Sequence, residues 1–498
     1  MLIEPPLPLL QSGSGGAGVA SGTLWNALTL VLGLPLAILS FSLISHALGP
    51  NLMGRYNFLV WLNAAIVGLL IGTANAATKY VAELRGKGQN AQAAGVVRWL
   101  VGLQGLVGLG LVGLAVLASL LWQPAFWLEY LLPTGAAAIS LVGGVLVGVA
   151  QAERRFRALA FNNIAFALFQ FGLVVLTLTL GWQVEGLLWI LFASSLLYFG
   201  LNWFLVWRTG LLTWGRAPKL PPTLRHEILG YLGSVAGAFA LSVVVWQDSE
   251  VFFLKIFSNA AEISYYSAAF VLASRLILLP DLVFAAFLPV VCSLYARADF
   301  VQLGLLHRQT LRYLLLLSTP IAVGGIVLAG PIVQLFNGPG FAPAAAPLAL
   351  LLLSGLLIAP GKLAVAILMA ANDRHFILNL TILAACLNLA LAAGFVAMGW
   401  GATGAAWASV LAQLGVVITI GRAAKLSHQT FPWLIFAKNI GAAGLAFGGA
   451  AFLVQTIDWP HFIIAGLVGT LIYLVLLPLL GLVGWEDWRQ ISHRWGRH

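Results

Sequence analysis

Long apolar runs, separated by short polar stretches, follow one another along most of the chain. From about residue 23 to residue 483 these runs recur at lengths of roughly 20 residues, which is what an α-helix needs to cross a hydrocarbon core. The runs are continuously apolar and do not alternate, which excludes a transmembrane β-barrel. Because backbone groups in lipid must be satisfied within their own segment, the pattern predicts an all-α polytopic membrane protein.

Fourteen transmembrane helices are predicted, and we call them spans 1 to 14. They lie near 23–48, 56–82, 97–122, 131–152, 159–180, 186–207, 230–257, 265–296, 311–336, 344–371, 375–398, 402–424, 435–456 and 461–484. An even number of spans places both termini on the same side of the membrane.

Basic residues in the turns indicate which side that is. Most of them follow even-numbered spans: Arg85, Lys87, Arg98, Arg154, Arg155, Arg157, Arg208, Arg216, Lys219, Arg225, Arg297, Arg308, Arg312, Arg374, Arg422 and Lys425. The opposite side carries only Arg55 and Lys255. By the positive-inside rule the even-numbered turns and both termini are cytoplasmic. The net charge of +10 then reflects topology and contact with anionic lipid headgroups, so nucleic acid is not an expected partner.

The composition supports this class and narrows the chemistry. The chain is 61% hydrophobic with a mean hydropathy of +0.98, which excludes a soluble domain. Its two cysteines, Cys292 and Cys386, lie in apolar spans and are expected to be small buried hydrophobes without a disulfide or metal role. No Walker A loop, G-x-S-x-G turn or Cys/His metal spacing occurs, so no cofactor and no ATP-driven pumping are expected.

Both ends of the chain differ from the spans. Residues 1–22 contain prolines and Glu4 but no basic n-region, which is typical of a flexible cytoplasmic leader and not of a cleaved signal peptide. The segment 485–498, "WEDWRQISHRWGRH", is predicted to be an amphipathic cytoplasmic tail whose tryptophans lie among lipid headgroups.

Three short patterns occur twice, in the same order. "QAERRF" at 151–156 returns as "ANDRHF" at 371–376, G-W-x-x-x-G-x-x-W begins at Gly181 and again at Gly399, and Tyr56 matches Tyr266. The offsets are 220, 218 and 210 residues, which superimpose span 4 on span 10. An even displacement preserves orientation, so the sequence predicts two parallel six-helix bundles around a central cavity, an architecture suited to alternating access.

This repeat defines the predicted domains. Spans 1–6 form an N-lobe over 23–208, a basic cytoplasmic linker occupies 209–229, and spans 7–12 form a C-lobe over 230–425. Spans 13 and 14, within 426–484, are additional to the repeat.

Several stretches resemble a known transporter family. They are "LGPNLMGRYNFLVWLNAAIVGLLIGTANAATKYVAE" (48–83), "QDSEVFFLKIFSNAAEISYYSAAFVLASRLILLPDLVFAAFLPVVCSLYA" (247–296) and "LAGPIVQLFNGPGFAPAAAPLALLL" (328–352). The stretches resemble the Wzx-like polysaccharide and oligosaccharide-lipid flippases of the multidrug/oligosaccharidyl-lipid/polysaccharide (MOP) exporter superfamily. No single motif is strict, and the resemblance depends on the order of the motifs along nearly the whole chain.

The resemblance implies a function, a location and partners. Such a flippase moves an undecaprenyl-pyrophosphate-linked oligosaccharide from the inner to the outer leaflet of the bacterial cytoplasmic (inner) membrane, driven by H⁺, Na⁺ or the membrane potential. It implies a transporter and not an enzyme, working as a monomer beside membrane lipids, with a glycan polymerase and glycosyltransferases as possible partners. The physics agrees, because glycan hydroxyls need a polar cavity and a pyrophosphate needs cationic side chains.

Ionisable residues within the spans are costly, so each is a functional candidate. Counting along the helices places Asp248 and Arg275 at similar depths, about 14–15 Å from the outer ends, where they can pair. In the functional interpretation Arg275 meets the phosphate and Asp248 is its counter-ion or the cation-coupling carboxylate. In the alternative the pair only fixes helix packing.

Further candidates flank this pair. Glu250 and Asp281 are candidates for ion coupling, although Glu250 is equally compatible with a solvated position near the outer mouth. Lys362, after a predicted helix break at Pro360-Gly361, is a candidate phosphate ligand or a lysine reaching to the interface. A set of three further candidates for headgroup and sugar contacts consists of Arg55, Trp246 and Gln247.

Other functions remain open at this point. A cation-coupled multidrug exporter of the same superfamily would have a more acidic, less cationic cavity, and a lipid II flippase would have a denser cationic one. The major facilitator class has a similar repeat, but "AELRGKGQNAQ" lacks its signature turn. A glycan-polymerising enzyme would need large outer loops or an intramembrane His/Asp pair. A passive scaffold would leave the intramembrane charges unexplained.

Overall fold

A computed structural model describes residues 15–70, 72–122, 127–212, 220–233, 249–427, 431–453 and 461–483. Within these ranges the chain is α-helical apart from turns and one 3-10 segment. The predicted all-α fold is therefore confirmed. The leader up to residue 14, the tail beyond residue 483 and most of span 7 lie outside the described residues.

The first half of the chain forms six helices. They are α1 (Gly15–Leu70), α2 (Gly72–Gly86), α3 (Asn90–Trp122), α4 (Trp127–Ala152), α5 (Phe156–Thr179) and α6 (Val184–Trp207). Residues 222–233 are also helical. One face of that segment, centred on the fully buried Ile228, packs against the core of the first half.

The second half continues with α7 (Glu250–Phe257), α8 (Ala260–Ala296), α9 (Phe300–Val327) and α10 (Ala329–Asn337), then the 3-10 segment Pro339–Ala344. After it come α11 (Ala345–Ala370), α12 (Arg374–Ala397), α13 (Gly401–Gln413) and α14 (Gly415–Ser427). The last two are α15 (Trp433–Leu453) and α16 (His461–Leu479). Spans 8 to 14 thus correspond to α8, α9 with α10, α11, α12, α13 with α14, α15 and α16.

Eleven helices of the described chain are long and apolar enough to cross a membrane, or twelve if the bent helix α8 counts as one span. The longest of them, Leu28–Gly86, covers predicted spans 1 and 2. Their predicted boundary coincides with Gly49, whose φ of 68° and ψ of 175° interrupt the helix. The residues after Gly49 are helical, so the loop predicted between spans 1 and 2 is too long. The count of fourteen spans stays a prediction.

Helix α9 begins earlier than the predicted start of span 9. Helix α9 begins at Phe300, where the Asp299 side chain accepts a hydrogen bond from the backbone N–H of Gln302 and caps the helix. Arg308 and Arg312, predicted in the turn, therefore lie on α9. The Arg312 guanidinium donates to the carbonyl of Leu482 (2.6 and 3.0 Å), which fixes the end of the last helix to α9.

The predicted burial of the two cysteines is wrong. Cys292 and Cys386 are free and exposed on α8 and α12. Helices of a membrane protein are apolar on every face, so an apolar context does not distinguish a packed position from one facing lipid.

The chain divides into two compact units, which we describe separately. Unit 1 comprises the described residues of Met1–Ala47 and Leu59–Val243, and unit 2 those of Leu48–Phe58 and Val244–His498. The core of unit 1 is formed mainly by α2, α3 and α4. In unit 2 one core joins α8, α9, α11 and α14.

A second cluster in unit 2 attaches the last two helices to α9. Asn439 donates to the carbonyl of Leu315 (2.9 Å), and the Tyr473 hydroxyl lies 3.0 Å from the carbonyl of Leu316 and 2.6 Å from Asn439 Oδ1. Buried polar groups that bond between helices are a common device for packing in membranes. Helices α15 and α16 are thus held to α9 by hydrogen bonds as well as by apolar packing.

The turns of the two halves share one backbone geometry. Residue i has a positive φ, and three consecutive N–H groups donate to carbonyl oxygens: that of residue i−1 to residue i−5, that of residue i to residue i−3, and that of residue i+1 to residue i−4. The pairs with this geometry are Gly88 and Ala298, Arg154 and Asn372, and Gly181 and Gly399. The offsets are 210, 218 and 218 residues, since 298 − 88 = 210, 372 − 154 = 218 and 399 − 181 = 218.

This geometry corrects one alignment of the repeat. The match of Glu153 with Asp373 used an offset of 220, whereas the turns superimpose at 218, so Asp373 corresponds to Arg155. Each acidic residue still pairs with an arginine from another helix. Arg85 Nε lies 2.7 Å from Glu153, and Arg422 Nε lies 3.0 Å from Asp373. The charged clusters therefore join neighbouring helices at the turns.

Candidate functional site

A cavity of about 300 Å³ lies within unit 2, between α8, α11, α12, α13 and α14. Its wall is mostly apolar, but it includes one polar set: Lys362, Thr381, Asn388, Ser409, Gln413 and Thr419. Lys362 is the single charged residue among those that line it. A mostly apolar cavity with a few convergent polar groups is a usual form of ligand site.

Glu250 is bound by two of the residues that line this cavity. It is the first residue of α7 and is buried, with 4% of its surface exposed. Asn388 Nδ2 and Ser409 Oγ each donate to its Oε1 at 2.9 Å. In the described part of the chain no arginine, lysine or histidine pairs with Glu250. The structure therefore contradicts the solvated alternative for Glu250.

The surroundings of Glu250 suit a cation or a proton. A buried carboxylate is costly unless a positive charge or several donors compensate it, and here two neutral donors share one oxygen. Asn388 Oδ1 is buried and has no hydrogen-bond partner among the described residues. Carboxylate, amide and hydroxyl oxygens thus lie close together, which is a suitable ligand set for a hard cation.

Lys362 and Asp281 form an ion pair. Lys362 Nζ on α11 lies 2.6 Å from Asp281 Oδ1 on α8. The sequence had offered Lys362 as a phosphate ligand and Asp281 as a coupling carboxylate, without pairing them. The predicted helix break at Pro360-Gly361 is wrong, because α11 continues through both residues and buries them. The bend lies in α8 instead, where Ala260–Arg275 and Pro280–Ala296 differ in direction by 40°.

Arg275 lies at the end of the first straight segment of α8 and is half-buried. Its Nε is buried and has no hydrogen-bond partner among the described residues. Its predicted pairing with Asp248 cannot be placed, since Trp246, Gln247 and Asp248 lie outside the described residues. Arg55 is half-buried in the α1 segment that belongs to unit 2.

Three asparagines in the spans of unit 1 bond between helices. Asn63 donates to the carbonyl of Pro133 (2.9 Å), Asn162 donates to Asn202 (3.2 Å), and the Tyr198 hydroxyl donates to Asn163 (2.8 Å). Asn388 differs from these three because its partner is a carboxylate at a cavity.

Sequence reasoning missed Ser409, and it gave Asn388 no particular role. Both lie more than 130 residues from Glu250, and nothing in a single sequence signals such a distant pairing. The available signal was a polar residue in each of two apolar spans. No group of three or more His, Cys, Asp or Glu residues suited to a metal occurs in the described chain.

Comparison with solved structures identifies the fold. The lipid II flippase MurJ, in an inward closed conformation, superimposes with a TM-score of 0.69 at 18% identity, over 93% of this chain and 98% of that one. The fold is that of the MOP transporters. A multidrug-resistance MATE transporter of the MOP superfamily, inward-facing, gives 0.62 at 16% identity, over 82% of this chain and 100% of that one.

Another MOP transporter, from Pyrococcus furiosus and described as having a binding pocket of reversed polarity, gives a TM-score of 0.54 at 17% identity. The match covers 84% of this chain and 100% of that one. No protein-family model matches the chain, and no curated protein matches it in sequence. The MOP fold is thus shared at identities of 16–18% with these three proteins.

Proposed function

We propose that this protein is a cation-coupled flippase for an undecaprenyl-pyrophosphate-linked oligosaccharide, working by alternating access in a bacterial inner membrane. The observation that carries cation coupling is Glu250, a buried carboxylate that has no cationic partner among the described residues and is bound by two residues of a cavity wall, in a chain with the MOP fold. The match to a lipid II flippase over 93% of the chain supports a lipid-linked cargo. The Wzx-like motifs support an oligosaccharide on that lipid.

The residues divide into two roles in this proposal. Glu250 binds the coupling ion, H⁺ or Na⁺, with Asn388 and Ser409 as further ligands. Arg275 and Arg55 contact the pyrophosphate. Lys362 is left out of the pyrophosphate site, because Asp281 already neutralises it.

A multidrug exporter is the second candidate, supported by the match to MATE transporters. The two candidates differ in cargo, so one assay separates them. Purified protein in proteoliposomes receives a fluorescent undecaprenyl-pyrophosphate oligosaccharide, with and without a Na⁺ or proton gradient. Gradient-dependent movement of the glycan between leaflets is expected. Transport of organic cations without any glycan movement would favour the multidrug exporter.

Arg275→Gln is expected to lower the flipping rate about tenfold. A hydrogen bond to a charged group contributes about 1.5–3 kcal/mol, and glutamine keeps a polar side chain but not the charge. Initial rates in the proteoliposome assay measure the effect. Arg308→Gln, at an exposed position on α9, is the matched control and should keep the wild-type rate. Equal rates for both variants would remove Arg275 from the site.

A further inference from the structure

Helix α8 contains a bend that its sequence produces. Its segments Ala260–Arg275 and Pro280–Ala296 differ in direction by 40°. Pro280 has no N–H, so the helical hydrogen bond to the carbonyl four residues earlier cannot form. Proline is an established cause of sharp helix kinks. The segment that begins at Pro280 can therefore change direction relative to Ala260–Arg275 without breaking a helical hydrogen bond at Pro280.

Asp281 connects this bend to α11. It directly follows Pro280, and its carboxylate lies 2.6 Å from the Lys362 ammonium. The Lys362 side chain is 27% exposed and that of Asp281 48% exposed, so the pair is partly desolvated. Separating such a pair removes the charge that compensates each of its members. The pair thus fixes the start of the second segment of α8 against α11.

Lys362 connects the same bend to the cavity. It lines the cavity together with Asn388 and Ser409, the two residues that bind Glu250. A cation that enters this cavity meets Lys362 as the single charged residue among the described residues of the wall. Two charges roughly 10 Å apart at an effective dielectric constant of about 20 alter an equilibrium on the order of tenfold. The ammonium is therefore in a position to respond to the charge at Glu250.

We propose that Lys362–Asp281 is a latch that couples the occupancy of Glu250 to the bend of α8, an inference that rests on the proposed cation coupling. A cation at Glu250 neutralises the carboxylate, so the Lys362 ammonium stays with Asp281 and the pair stays closed. An empty, ionised Glu250 attracts the ammonium into the cavity, weakens the pair and releases the bend. Lys362 acts here as a positioning residue, through Asp281, and does not contact the cargo.

A distance measurement across the bend tests the latch. Native Cys292 is exposed near the end of α8, and Phe257, which is 50% exposed, lies three residues before its start. In a Cys386→Ser background, spin labels on Phe257→Cys and Cys292 report the bend by pulsed electron resonance. The full-length protein is measured with Na⁺ against an impermeant organic cation, and at two pH values. Melting temperature under the same conditions reports cation binding independently.

In the otherwise wild-type protein we expect the cation to change the ratio of two distance populations about tenfold. Lys362→Met and Asp281→Asn should each make that ratio independent of the cation, while the cation still raises the melting temperature. Lys255→Met is the matched control, because that ammonium lies over the Phe58 ring (5.1 Å) and does not line the cavity. It should behave as wild type.

Two results would overturn the latch, and they are distinguishable. If Lys362→Met keeps the wild-type change in distance, the latch is wrong and cation coupling at Glu250 stands. If the cation changes neither distance nor melting temperature in the wild type, and Glu250→Gln gives the same result, both the coupling and the latch are wrong.

Discussion

Glu250→Gln is expected to abolish the dependence of transport on the cation gradient. Glutamine is nearly isosteric and can keep contacts with Asn388 and Ser409, but it removes the one negative charge that these two residues bind. A cation or proton in a low-dielectric site depends mainly on that charge, so its affinity should fall at least about a hundredfold, or roughly 3 kcal/mol. Glycan flipping in proteoliposomes, with and without a gradient, measures the effect.

A second carboxylate in unit 2 provides the control. Glu262, in the first turn of α8, accepts a hydrogen bond at 2.7 Å from the backbone N–H of Ala402 and does not line the cavity. Glu262→Gln should reduce stability modestly and leave gradient dependence intact. If Glu250→Gln keeps a wild-type response to the gradient while both variants fold, Glu250 is not the coupling residue.

The fold was predictable because the length and the apolarity of a segment are enough to identify a membrane helix. The repeat was predictable at turns such as Gly181-Trp182 and Gly399-Trp400, where the sequence motif and the backbone geometry give the same offset. The alignment of Glu153 with Asp373 was wrong by two positions. It matched similar side chains, whereas the backbone geometry of the turns determines which positions are equivalent. Arg155 and Asp373 occupy equivalent positions although their charges are opposite.

The candidate site was predictable only in part. Charged residues stand out in apolar spans, so Glu250, Asp281 and Lys362 were all selected from the sequence. Their partners were not, since pairing depends on which helix faces meet, and spans that are apolar on every side do not reveal that. The sequence left Lys362 open between a phosphate ligand and a lysine reaching to the interface, because its partner Asp281 is 81 residues away in sequence (362 − 281).

The effect of a proline on its helix was predictable only in part, for a related reason. Pro280 and Pro360 both lie within helices, and a change of direction of 40° accompanies the first. Helix α11 continues through Pro360, and the residues around it are buried against α14. For example, a Cβ at Gly361 would lie 2.6 Å from Val416. The effect of a proline on its helix depends on tertiary packing, and a local sequence pattern does not contain that information.

Packing of this kind can be tested most directly in unit 1, at the contact between α2 and α4. Gly148→Ala is expected to destabilise the protein by about 3 kcal/mol, at the upper end for overpacking. A Cβ at Gly148 would lie 2.2 Å from the carbonyl oxygen of Ala74 and 3.1 Å from Ala77 Cβ. Because the first of these neighbours is backbone, a side-chain rotation cannot relieve the clash, and the helices must separate.

Such separation would also weaken a polar contact. Thr78 Oγ1 lies 3.1 Å from the carbonyl of Gly148, and small residues at helix contacts in membranes allow this close backbone approach. Gly143→Ala, five residues earlier on α4, is the matched control, since its Cβ would have no neighbour within 4 Å. Melting of both variants in the same detergent should show a loss of several degrees for Gly148→Ala and little change for Gly143→Ala. Equal losses would mean that the close approach of α2 to α4 at Gly148 is not the reason that glycine is required there.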